Sequence, residues 1–171
     1  ASSGGIPTTT SLNVTVNPDA ATKQLVFATQ PAATATAGVN LTTQPVVSVR
    51  DQSGNVFTTA TDSITLAAVL ASDGVTAGGG TLNATTNPLN ASGGAAAFAG
   101  VNYTKAEAVR LKASAAGLAD VLSNTITVSA AAASQAGLSG PAPVTAGSVS
   151  GAFTLTSLDS FGNVSNVTQN T

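Results

Sequence analysis

Every second residue is apolar through many short stretches of this chain. In SLNVTVN, Leu12, Val14 and Val16 fall on one side, and Ser11, Asn13, Thr15 and Asn17 on the other. Successive side chains of a strand point to opposite faces, so this pattern predicts a half-buried strand. The alternation recurs at Leu25 and Phe27, at Val47 and Val49, at Ile64, Leu66 and Ala68, at Val109, Leu111 and Ala113, and at Ile126 and Val128. Between these runs lie DQSGN, SDG, AGGG, TTNPLN, ASGG and AAGLAD, where Gly and Asn tolerate positive φ and Asp closes Asx turns. Short strands at this spacing predict an all-β sandwich or barrel.

One stretch competes with that reading. KAEAVRLKASAAGL, residues 105–118, is rich in good helix formers. A helix would set Val109 and Leu111 about 200° apart, whereas a strand turns both inward and sends Arg110 and Lys112 outward. The strand is the consistent choice.

The turn VRDQSGNV at 49–56 is written again as SLDSFGNV at 157–164, with Asp51 and Asp159 in matching places 108 positions apart. TAG at 36–38 recurs at 145–147, and Val14-Thr15-Val16 resembles Ile126-Thr127-Val128 at an offset of 112. One repeat of about 110 residues is therefore predicted, complete once and partial twice. Residues 1–19 read as the last strand of a preceding repeat, 20–130 as a complete domain, and 131–171 as the opening strands of a following repeat.

Composition narrows the chemistry. The chain of 171 residues has no Cys, His, Met or Trp, only five basic and seven acidic residues, and a net charge of −2. Thiol and imidazole catalysis and zinc or iron–sulfur ligation are thereby excluded. Five dispersed cations give no electrostatic footprint for nucleic acid. No apolar run approaches the ~18 residues of a spanning helix, so no membrane span is expected.

In order and spacing, QLVFATQPAATATAG, PVVSVRDQSGNVF, GGGTL, GGAAAFAGV and VRLKASAAGLADVLSNTITV resemble a bacterial immunoglobulin-like repeat of the invasin/intimin-like group. The resemblance covers residues 24–130 fully and 138–171 in part. Val109 stands where such repeats often carry a tyrosine. The resemblance implies an immunoglobulin-like antiparallel β-sandwich in tandem repeat, as found in large extracellular, cell-surface adhesins and fibres.

Candidate site residues each have a plain structural role. Asp51 and Asp159 could ligate calcium, but each is isolated in sequence, and capping its own hairpin turn is the preferred role. Asp62, Asp73 and Asp120 read as solvated loop acids. Lys105, Lys112 and Glu107 raise an isopeptide bond, which outward-facing Lys112 disfavours. Tyr103, Phe57 and Phe98 suit core bulk better than a sugar-binding platform. Asn-x-Ser/Thr sequons stand at Asn13, Asn40, Asn83, Asn90, Asn102, Asn163 and Asn166, a pattern that Thr-rich strand faces also generate. No catalytic, cofactor-binding or metal-binding residue is assigned, and no enzymatic activity is expected.

The expected role is a structural, tension-bearing spacer of an extracellular bacterial fibre or filament. Its partners would be neighbouring immunoglobulin-like repeats, or copies of itself by β-strand addition, with a strand such as 11–17 completing residues 135–171 of a neighbour. The alternative is an adhesin module that binds a surface glycan or protein through its loops.

Overall fold

The computed structural model describes residues 15–141 and 146–167. Its described elements are strands and one short 3-10 turn, Ala20–Thr22. The strands are β1 (Gln24–Thr29), β2 (Thr34–Thr36), β3 (Val46–Arg50), β4 (Ser63–Leu70), β5 (Leu82–Asn83), β6 (Leu89–Asn90) and β7 (Ala95–Ala97). They continue with β8 (Asn102–Tyr103), β9 (Ala108–Ser114), β10 (Val121–Leu122), β11 (Ile126–Ser129), β12 (Gln135–Ser139) and β13 (Thr154–Leu158). Residues 105–118 thus contain a strand and no helix.

Strands β1 to β11 form a sandwich of two main sheets, with β5 and β8 as a further antiparallel pair, Leu82 opposite Tyr103. One sheet runs β1-β3-β7; the other runs β2-β11-β9-β4-β6, with β10 also on β9. Antiparallel pairing sets Leu25 against Val49 and Phe27 against Val47 in the first sheet, and Leu66 against Ala113 in the second. β11 pairs with β2 in parallel, Thr127 to Ser129 beside Thr34 to Thr36.

The side chains picked out by alternation meet between the sheets. Leu25, Phe27, Val47, Val49, Ile64, Leu66, Val109, Leu111, Ala113, Ile126 and Val128 belong to one buried cluster with Phe98, Val101 and Tyr103. Burying a Val, Leu or Ile side chain contributes roughly 1.5–3 kcal/mol relative to leaving it in water. The space between the sheets is therefore filled, and no cleft separates them.

Three sequence expectations need correction. Residues 11–14 of the expected first strand lie outside the described residues, and its described end, Thr15 to Asn17, is not a strand. Val16 there is 76% exposed, since no other described strand runs beside it to supply a ladder or an apolar face. In β4 the alternation slips after Leu66: Ala68 is half-buried and Val69 is buried. There the loop after β4 folds back along the strand, with Leu70 N–H donating to Thr76 O and Gly78 N–H to Ala68 O. TTNPLN, read as a turn, contributes β6, whose Leu89 pairs with Ile64.

β12 and β13 form a separate antiparallel pair, Gln135 opposite Leu158 and Leu138 opposite Leu155. It corresponds to the β1–β3 pair, where Gln24 lies opposite Arg50. The difference is cover: Phe27 and Val47 are 7% and 0% exposed, while their counterparts Leu138 and Leu155 are 70% and 73% exposed.

The registers also fix where the chain enters and leaves the sandwich. β1 starts beside the end of β3, next to Asp51. β11 runs parallel to β2 toward Gly38, where Ala37 N–H donates to Ser129 O and Gly38 N–H to Tyr103 O. Entry and exit therefore lie at opposite ends.

Candidate functional site

The repeated turn is a densely bonded polar feature, and its two copies are built alike. After β3, Asp51 N–H donates to Asn55 O (2.9 Å) and Gly54 N–H to Asp51 O (3.1 Å). After β13, Asp159 N–H donates to Asn163 O (2.9 Å) and Gly162 N–H to Asp159 O (3.2 Å). Gly54 and Gly162 have φ of 90° and 83°, the left-handed region that side chains other than glycine's enter at a cost. That requirement explains why the Gly is repeated with the Asp.

Each carboxylate then closes its own turn. Asp51 accepts from Asn55 N–H and Asn55 Nδ2, both at 2.8 Å. Asp159 accepts from Phe161 N–H (2.9 Å), Asn163 N–H (2.9 Å) and Asn163 Nδ2 (2.8 Å). Both carboxylates also reach outside the turn. Asp51 Oδ2 accepts from Asp19 N–H (3.1 Å), and Asp159 Oδ2 from Ala131 N–H (2.9 Å). These two amides lie in the segments that lead into β1 and β12, so each turn clamps the incoming chain.

In the second copy the turn also docks on the sandwich. Asn163 Oδ1 accepts from Ala106 N–H (2.9 Å), and its Nδ2 donates to Thr104 O (2.9 Å). Phe161 lies against Gly38, its ring where a β-carbon of any other residue would stand. Ser165 Oγ donates to Ala131 O (2.6 Å), and Ser157 Oγ donates to Ser165 O. Asp159 is fully covered and Asn163 is 9% exposed.

The electrostatics follow from this bonding. Burial pushes Asp159 upward, but donors from Asn163, Ala131 and Phe161 outweigh it and hold the pKa at about 2. Asp51 is likewise lowered, first by Asn55 Nδ2, against a smaller upward push from burial. A carboxylate with a depressed folded pKa stabilises fully above its ordinary value, here 3.8, and loses that contribution as pH falls through about 2. The Ala131 and Asn163 amides should therefore stay protected from neutral pH down to about 5 and lose protection between about 4 and 2. A nuclear magnetic resonance pH titration of these two amides checks this; a midpoint near 6 would refute it.

A second polar cluster ties down the Gly78–Gly80 run. Tyr103 O–H donates to Glu107 Oε1 (2.6 Å) and accepts from Gly80 N–H (2.7 Å), and Glu107 Oε1 also accepts from Gly79 N–H (2.7 Å). Burial and then Glu107 raise the Tyr103 pKa to about 12, keeping it a donor. Burial pushes Glu107 upward, but the bonds from Tyr103, Gly79 and Lys105 leave it below its ordinary value. Tyr103→Phe leaves the Gly80 N–H without its acceptor and should cost about 1–2 kcal/mol in urea unfolding.

The remaining candidates form separate pairs and caps. Lys105 pairs with Glu107 and Lys112 with Asp120, both at 3.3 Å. Asp73 caps its own turn through Val75 and Thr76 N–H. Lys23 binds Asp62 Oδ1 at 2.8 Å at the rim of a shallow polar cleft with Phe57, while Asp62 Oδ2 is covered without a partner. Tyr103 and Phe98 are core residues and Phe57 packs half-buried against it. Among the described residues no three carboxylates gather. Nor is any described helix long and apolar enough to cross a membrane.

No protein-family model matches the chain, and no curated protein matches it. Among solved structures it is similar to InvD of Yersinia pseudotuberculosis, at 16% identity and a TM-score of 0.46. That similarity covers 86% of this chain and 44% of the InvD chain.

Sequence reasoning had located Asp51 and Asp159 as turn caps. It had not found that each also holds the incoming segment, nor that Asn163 and Phe161 dock on Gly38, Thr104 and Ala106.

Proposed function

We propose that the chain is a structural, tension-bearing spacer built from tandem immunoglobulin-like modules of an extracellular bacterial fibre. In this reading residues 20–130 are one module and 131–171 open the next. The observation that carries it is the joint: Asp159 clamps the linker at Ala131 while Asn163 and Phe161 dock on the sandwich end. A linker held at both sides fixes the direction of one module against the next, whereas a free linker carries tension without orientation. Entry and exit at opposite ends support the same role, because tension then runs along β1 and β11 and loads their ladders lengthwise. Among the described residues the loops present no cluster of the aromatic or Arg anchors that dominate interfaces, which favours the spacer over the adhesin alternative.

The test is mechanical. Handles at Ala20 and Ala130 of the full chain pull the β11–β2 pair in shear, so several hydrogen bonds fail together. Handles at Gly54 and Gly117, which lie at the same end of the sandwich just before β4 and just after β9, unzip the β4–β9 ladder from Thr65 and Ser114 inward, one bond at a time. Single-molecule pulling should give a clearly higher rupture force for the first pair; equal forces would overturn the spacer reading.

A further inference from the structure

Asn163 and Asn55 are the same residue of the same turn, yet among the described residues only Asn163 binds a neighbouring part of the fold. Asn163 is buried because Thr104 O and Ala106 N–H take its amide. Asn55 has the same bonds to its own aspartate and is exposed, as are Gln52, Ser53 and Gly54 around it. The segment entering this first turn also matches its counterpart. Asp19 N–H binds Asp51 as Ala131 N–H binds Asp159. Three residues ahead, exposed Val16 stands where Val128 is buried as part of β11.

We propose that the exposed Gln52–Asn55 turn is a docking site for the end of a preceding copy of the same module, whose Thr104-to-Ala106 loop takes the Asn55 amide. The proposal deepens the spacer reading and rests on it. Continuity with the observed joint identifies the occupant: the turn and the clamped incoming segment repeat those of the second copy, where a module end receives Asn163. Ser53 replaces Phe161, so this joint lacks the ring that lies on Gly38 and is held by the amide contacts and the linker clamp alone. The two joints along one chain therefore differ in tightness, since Ser53 and Phe57 stand where the second joint has Phe161 and Ser165.

The test duplicates residues 17–128 inside the full chain, so that residues 1–128 run into residues 17–171 and Val128 takes the place of Val16. Amide hydrogen exchange then reads two Ala106 positions in one molecule. The downstream Ala106 faces Asn163 and serves as the reference; the upstream one faces the new Asn55. The upstream Ala106 amide should exchange roughly tenfold more slowly than Ala106 in an Asn163→Ala chain, where it has no partner. Asn55→Ala in the downstream copy should abolish that protection, and Ser53→Phe, which leaves the turn's own bonds intact, should increase it. An upstream amide as fast as in the Asn163→Ala chain, or indifferent to Ser53→Phe, overturns the proposal while the spacer reading stands. If the downstream reference is unprotected as well, the fixed joint itself is wrong and both fail.

Discussion

Leu111→Ala should lower the unfolding free energy by about 3 kcal/mol, whereas Lys112→Ala, one residue along, should cost less than about 1 kcal/mol. Leu111 is almost wholly buried, on a strand flanked by β4 on one side and by β10 and β11 on the other. Its backbone is held by Ser123, whose Oγ accepts from Leu111 N–H (2.9 Å) and whose N–H donates to Leu111 O (2.8 Å). A strand fixed on both sides cannot shift to fill the void left by the lost side chain, which places the cost within the 2–5 kcal/mol range for such deletions. Lys112 instead reaches over the surface to exposed Asp120 from a half-buried position, a pair whose attraction is screened by water. Urea unfolding of the two variants checks the contrast. Similar losses at both positions would contradict the inward–outward alternation on which the sandwich depends.

That alternation made most of the sandwich legible in the sequence. Leu25 and Phe27, Val47 and Val49, Val109, Leu111 and Ala113 carry a period of two because each strand has one face against the opposite sheet. Alternation states which residues would face a core, and says nothing about whether a core is there. Val16 shows the difference, since the same pattern that buries Val128 leaves it in water. Leu138 and Leu155 show it again on the β12–β13 pair. Burial depends on partner strands far away in sequence, and a local period carries no information about them.

The site was half legible for the same reason. An Asp three residues before a Gly and four before an Asn is a local signal, because the carboxylate and the amides it accepts lie within five residues. The docking of Asn163 joins residues 57 and 59 positions apart, with no local mark in either partner. Tyr103 is an intermediate case. Its burial was foreseen, and a buried phenol needs a partner for its hydroxyl. Glu107, the one glutamate of the chain, stands four residues away and supplies it.

Asp159→Ala should release the β12–β13 pair as a unit while leaving the sandwich as stable as before. The β12–β13 pair has two strands, and an isolated two-stranded pair is at best marginally stable in water. Its apolar residues Leu138 and Leu155 are exposed, so in the 171-residue chain they contribute little burial to hold it. What orders it is the joint: the Asp159 carboxylate gathers Ala131, Phe161 and Asn163, and so presents Phe161 to Gly38 and the Asn163 amide to Thr104 and Ala106. Removing the carboxylate strips the turn of its acceptor, frees the linker and loosens both docking side chains in one step. The equivalent change at Asp51 acts on a turn with no docked partner among the described residues, but one whose strand, β3, lies at the centre of its sheet. Asp51→Ala should therefore lower sandwich stability, and Asp159→Ala should not. Hydrogen exchange on both variants separates these outcomes: in Asp159→Ala the β12–β13 amides lose protection together while β9 and β4 keep theirs. Retained protection at Ala136 to Leu138 would mean that the pair stands without the joint, and that the repeated turn is a cap and nothing more.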